Sequence, residues 1–129
     1  MSTRYYVTPY DPVHWKDENS SGVEATLAVD FQDFSKAAQS VWSSYESYPN
    51  CSWSVSFDND EVSGSFSGKD NQILVLERPG YSFNQFVAWY RKYISSDHKL
   101  FLFGEGSWSG LELIDGVTDK DISRFTGYE

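Results

Sequence analysis

Residues 73–103 constrain the fold more than any other part of the chain. They begin with a short apolar run at residues 73–76, which Arg-Pro-Gly breaks at residues 78–80. Ser82 can then cap a helix with one apolar stripe, at spacings i, i+3, i+4, i+7 and i+11: Phe83, Phe86, Val87, Tyr90 and Ile94. Residues 100–103 form a second apolar run of strand length. This part of the chain therefore predicts a strand, a helix and a strand, and the other side of the helix carries Asn84, Gln85, Arg91 and Lys92.

The N-terminal half adds further elements of the same kinds. Residues 4–8 predict a strand that stops at Pro9, and the alternation of residues 23–29 predicts a second strand. A helix beginning at Asp30 or Asp33 follows, and Pro49 ends it after a serine-rich turn. Residues 53–57 and 62–66 alternate large apolar side chains with serines around an Asp-Asn-Asp turn, which predicts a hairpin.

The C-terminal part predicts one strand and one short helix. The strand covers residues 108–114, and the helix starts at Thr118, which forms an approximate capping box with Asp121 and is stopped by Gly127. The chain is thus predicted to be a single α+β domain over residues 1–129. Its largely antiparallel sheet has about six to seven strands, two main helices on one face and a short C-terminal helix.

Composition limits the classes of partner and the compartment. Nineteen acidic and ten basic residues give a net charge of -9, which disfavours nucleic acid and anionic membranes and favours a basic protein partner. A lone cysteine, Cys51, favours a reducing compartment. No stretch has the length of a signal peptide or a membrane span, so a cytoplasmic location is predicted.

Candidates for catalysis or metal binding are weak. His14 and His98 lie in polar, turn-rich context without a ligand set, and Cys51 has no basic neighbour in sequence. The glycines at 104, 106 and 110 suit a tight hairpin better than a phosphate cradle. Residues 58–61 begin like a calcium loop but lack its glycine and distal glutamate. We therefore assign no catalytic residue, metal or cofactor.

The tryptophans carry the most information about function. Trp42 and Trp53 fit apolar stripes and are predicted to be core residues. The candidate partner-binding residues combine the other three rings with nearby carboxylates: Trp15, Trp89, Trp108, Glu105 and Glu112. The competing interpretation is that these rings cap the ends of the core.

Three functional hypotheses follow. The leading one is a small acidic, non-enzymatic interaction module that binds a basic partner, of which an inhibitor or immunity-type protein is one concrete form. The alternative is a ligand-binding or enzymatic domain that uses a cleft between two strand-helix-hairpin halves, with His14, tyrosines and aspartates inside it. The third is a subunit that assembles through an exposed edge strand.

Overall fold

The protein forms one antiparallel sheet with two main helices on one face and a short C-terminal helix, as predicted. The computed structural model describes residues 4–10, 27–58, 60–77, 81–105 and 110–127. The helices are α1 (Phe31–Val41), α2 (Tyr81–Tyr93) and the short α3 (Asp119–Thr126). The seven strands are β1 (Tyr5–Thr8), β2 (Glu46–Tyr48), β3 (Ser52–Ser56), β4 (Glu61–Ser67), β5 (Ile73–Glu77), β6 (Phe101–Gly104) and β7 (Gly110–Glu112).

The strand order is β2-β3-β4-β5-β1-β6-β7, and every neighbouring pair is antiparallel. The predicted strand, helix and strand are present as β5, α2 and β6. The two strands are not neighbours, because β1 lies between them and pairs with both. Since β5 and β6 are each antiparallel to β1, they run in the same direction, and α2 makes the crossover that two parallel strands require.

Alternation along the strands divides the sheet into two faces. The core face carries fully buried side chains, among them Val7, Trp53, Leu76 and Leu102. The whole predicted stripe of α2 is buried against this face. Phe34 of α1 lies at the centre of a cluster of aromatic rings. Its ring centroid is 4.8 Å from that of Phe66 and 5.6 Å from that of Trp53. Large aromatic rings thus fill much of the core.

Two helix starts and one helix end follow from local capping. Asp30 caps α1, because its Oδ1 accepts hydrogen bonds from the backbone N–H groups of Gln32 and Asp33. Thr118 and Asp121 form the predicted capping box of α3, and Gly127 ends that helix with φ of 83°. At α2 the prediction was off by two residues: the helix begins at Tyr81.

Residues 27–29 are the end of a predicted strand, but they pair with no described strand. The earlier residues of that prediction, 23–26, lie outside the described part of the chain. Leu27 and Val29 are buried, but their backbone bonds to a turn. Val29 N–H donates to the Asp70 carbonyl at 2.9 Å, and the Leu27 carbonyl accepts from the Gln72 side chain at 2.9 Å. At these residues the alternation of apolar and other side chains reflects burial, and it does not reflect pairing with another strand.

Helix α1 ends at Val41, well before Pro49. Trp42 has extended backbone angles, and the serine-rich residues that follow lead into β2, whose three residues are all exposed. An edge strand without a buried face has no alternation to detect. Trp42 is consequently half-buried at the end of the helix, whereas Trp53 is 1% exposed, as expected of a core residue.

Asn84 and Arg91, predicted on the outer side of α2, are only 3% and 4% exposed. The side of α2 that carries them faces α3 and the turn before it. Asn84 accepts a hydrogen bond from the Thr126 hydroxyl of α3, and Arg91 donates to the Leu113 carbonyl. Gln85 and Lys92 remain exposed, so α2 shows only a narrow strip to solvent.

Candidate functional site

The candidate site lies on the sheet face opposite the helices, which we call the outer face. Strand register places serines side by side across β3 and β4: Ser52 is opposite Ser65, and Ser54 is opposite Ser63. Ser63 in turn is opposite Glu77 of β5. The alternation of serines with large apolar residues therefore produces a continuous polar surface over these strands.

This surface forms a concavity of about 350 Å³. Besides Trp53 and Gly64, its lining consists of hydroxyl and carboxylate side chains: Tyr48, Ser52, Ser54, Glu61, Ser63, Ser65 and Glu77. Hydroxyl groups both donate and accept hydrogen bonds, whereas ionised carboxylates only accept. The concavity therefore suits ligands that carry N–H or O–H donors, above all cationic ones.

Three interactions orient side chains around the concavity. The Tyr48 hydroxyl donates to Glu46 Oε2 at 2.6 Å and lies 3.3 Å from Ser54 Oγ, which holds the half-exposed ring over the serines. Arg4 Nε lies 3.3 Å from Glu77 Oε1, and both side chains are about half exposed. An ion pair so exposed adds little stability, but it shows that a guanidinium can reach Glu77.

Charge is distributed unevenly between this face and the rest of the described molecule. Four strand glutamates occupy outer-face positions (Glu46, Glu61, Glu77 and Glu112), and Glu105 directly follows β6. None of the seven described strands contains a lysine or arginine, and Arg4 directly precedes β1. The described aspartates lie outside the strands, in loops, turns and helices, where a short carboxylate can bond to the backbone.

The rest of the outer face is apolar at its centre. Tyr6 and Phe103 lie opposite each other in β1 and β6, and their rings stack at 5.3 Å. Ile73, Val75 and Phe101 occupy the neighbouring positions and are half-buried. The polar concavity thus lies on one half of the face, beside an apolar centre.

The structure separates the predicted partner-binding residues. Glu105 and Glu112 are both exposed, but they lie beside opposite ends of β6. Glu105 follows the last residue of β6, whereas Glu112 of β7 lies opposite Phe101, the first residue of β6. Trp89 is half-buried on α2, on the other side of the sheet. Trp15 and Trp108 lie outside the described residues, as does His14.

Sequence reasoning missed Glu46, Tyr48, Glu61 and Glu77 as site residues. In the sequence, Glu61 adjoins a predicted turn and Glu77 follows an apolar run, and neither position by itself indicates a site. The small polar face of the hairpin was the available signal. Aligning its serines with Glu77 required knowledge that β4 pairs with β5.

The concavity is a different place from the predicted cleft between two strand-helix-hairpin halves, and His14 of that prediction lies outside the described residues. The concavity lies within β2 to β5 and carries no histidine. Cys51 is half-buried in the β2–β3 turn with φ of 56°, and His98 is half-buried in the loop before β6. In the described ranges, no three His, Cys, Asp or Glu side chains are grouped as metal ligands would be.

Comparison with protein-family models, with curated proteins and with solved structures gives no match for this chain. None of the described helices is long and apolar enough to cross a membrane. The chain is therefore an α+β protein whose antiparallel sheet has helices on one face. The opposite, outer face carries carboxylates and hydroxyls.

Proposed function

We propose that this protein is a small non-enzymatic interaction module that binds a basic protein partner through the polar half of its outer face. The observation that carries the proposal is the placement of glutamates on a sheet whose described strands have no basic residue. A partner surface rich in lysine and arginine is complementary to this face in both charge and hydrogen bonding.

The net charge of -9 supports the same proposal at longer range. A field of one sign steers a cationic partner toward the protein before contact and raises the association rate, most strongly at low ionic strength. One concrete form is an inhibitor or immunity-type protein that covers the cationic site of a nuclease or toxin. Such a protein competes with the nucleic acid for the same basic surface.

The proposal can be tested by neutralising carboxylates of the outer face and comparing the result with an equal change of net charge elsewhere. A variant with Glu46→Gln, Glu61→Gln and Glu77→Gln removes three carboxylates from the concavity and its border. Three carboxylates that each contribute about 0.5 kcal/mol to binding predict a loss of about tenfold in affinity for a small basic protein such as cytochrome c. Isothermal titration calorimetry at low and physiological salt measures this loss.

The matched control removes the same charge elsewhere. Asp58→Asn, Asp97→Asn and Asp119→Asn neutralise exposed aspartates of turns and of a helix start. We expect this control to weaken binding by less than about threefold, through the long-range field alone. Equal losses in the two triple variants would show that only net charge matters and would contradict the proposed location.

The concavity also favours a second candidate, a binding site for a small polar ligand. Its volume of about 350 Å³ lies at the lower end of small-molecule sites, and two carboxylates face it. In a ¹H–¹⁵N spectrum, saturable shifts of the Ser54 and Ser63 amides with a neutral sugar, unchanged by added salt, would support this candidate. Shifts only with cationic partners would support the interaction module.

A further inference from the structure

A second surface, on the helix side of the molecule, combines aromatic rings with carboxylates. Trp42, at the end of α1, and Trp89 and Tyr93, on α2, are all half-buried, and we call these three rings the aromatic seam. The Trp42 and Trp89 rings meet edge to face at 5.1 Å, and Trp89 stacks on Tyr93 at 5.4 Å. The rings therefore form one continuous surface between the two helices.

The carboxylates beside the aromatic seam come from the start of α1. Phe34 directly follows Asp33, and its ring centroid lies 6.1 Å from that of Tyr93, so the start of α1 lies beside the aromatic seam. Burial raises the pKa of the Tyr93 hydroxyl, and the charges of Asp33 and Asp30 raise it further. The Asp30 carboxylate already caps α1. Asp33 is exposed and forms no ion pair within the described part of the chain.

Lys36 lies one helical turn after Asp33 on α1, and Lys92 lies one turn after Trp89 on α2. Both lysines are exposed, and neither forms an ion pair with Asp33 among the described residues. The aromatic seam thus combines electron-rich aromatic rings with a carboxylate, that of Asp33, which has no ion-pair partner among the residues that the structure describes. A guanidinium group fits this combination, because its plane stacks on an aromatic face while its edge pairs with a carboxylate.

We infer that the aromatic seam binds an arginine side chain of a protein partner, with the guanidinium stacked on Trp89 or Tyr93 and paired with Asp33. This interface lies on the opposite side of the sheet from the polar concavity and does not depend on it. Arginine is preferred to lysine here, since the compact, strongly hydrated ammonium neither stacks nor forms a bidentate pair.

An acetylated and amidated tetra-arginine peptide provides the probe, and a tetra-lysine peptide provides the comparison. In ¹H–¹⁵N spectra, we expect the arginine peptide to shift the indole N–H signals of Trp42 and Trp89. Its affinity should exceed that of the lysine peptide by about threefold or more, the scale of an exposed cation–π contact. Trp89→Phe, which keeps a ring for packing, assigns the indole signal and should weaken binding about threefold.

Asp33→Asn should weaken binding by a similar factor, whereas the exposed Asp97→Asn should leave it unchanged. The remaining spectrum reports whether each variant is folded. The triple glutamine variant of the outer face should retain the indole shifts, so failure of the proposed function leaves this test intact. Absence of the indole shifts, equal affinity for the two peptides, or unchanged affinity in Asp33→Asn would each overturn the inference.

Discussion

Arg91 is the buried charge on which we expect the loops after α2 to depend. It is only 4% exposed and has no carboxylate in hydrogen-bonding contact among the described residues. Burial lowers the pKa of its guanidinium, and the charge of Asp115 partly opposes this effect. Its two terminal nitrogens donate to four backbone carbonyls at 2.7 to 3.3 Å: Ile94, Ser95, His98 and Leu113.

The magnitude of an Arg91→Met substitution follows from these four bonds. Two of the bonds, to Ile94 and Leu113, are buried, and each carbonyl left unpaired costs about 1–1.5 kcal/mol. The bonds to Ser95 and His98 are partly buried, and water can replace the donor there at a cost of about 0.5 kcal/mol each. The free energy of unfolding should therefore fall by about 3–4 kcal/mol.

Arg91→Lys keeps the charge but cannot reach all four carbonyls from a single nitrogen. We expect it to lose about 1.5–2 kcal/mol, roughly half the effect of methionine. Urea unfolding followed by tryptophan fluorescence and circular dichroism measures both values. Lys92→Met, at the neighbouring exposed position, serves as the control and should stay within about 0.5 kcal/mol of the natural chain. If both Arg91 variants matched this control, the reasoning about the four carbonyls would be refuted.

Three further predictions follow from single observations. Gly64→Ala brings a Cβ atom into steric conflict with the Val75 carbonyl oxygen, and should destabilise the protein by about 2–4 kcal/mol in the same urea assay. Tyr90→Phe removes a buried hydroxyl that has no hydrogen-bond partner among the described residues, and should leave stability unchanged or raise it by about 1 kcal/mol in thermal unfolding. Hydrogen bonds from Thr118 lower the pKa of the Asp121 carboxyl. The contribution of Asp121 to stability is therefore complete above the ordinary carboxyl pKa and is lost as pH falls through the lowered value. The difference in melting temperature between the natural chain and Asp121→Asn should shrink between about pH 5 and about pH 2.

Neighbouring positions supply the controls for these predictions. Ser65→Ala, next to Gly64 but on the outer face, should change stability by less than about 0.5 kcal/mol. A loss of more than about 1 kcal/mol in Tyr90→Phe would mean that the hydroxyl has a partner. A pH-independent difference in Asp121→Asn would contradict the hydrogen bonds assigned to the capping box.

Local patterns in the sequence were sufficient wherever one element alone determines the outcome. The stripe of α2, the capping box of α3 and the β3–β4 hairpin were each predicted, because side-chain periodicity and capping depend on residues close in sequence. The same local patterns were misleading at residues 27–29, where burial arises from a turn at residues 69–72. They also gave no indication of β2, because that strand has no buried face.

Tertiary structure alone decided which of these elements meet. The insertion of β1 between β5 and β6 depends on contacts distant in sequence, and so does the hydrogen bond from the buried Arg91 to the Leu113 carbonyl. Strand pairing likewise brought Glu61 and Glu77 beside the serines of the concavity. It also placed Trp89 on the opposite side of the sheet from Glu105 and Glu112. Residue spacing reports the environment of each side chain along its own element, whereas a binding surface is assembled from several elements and is determined by how they pair.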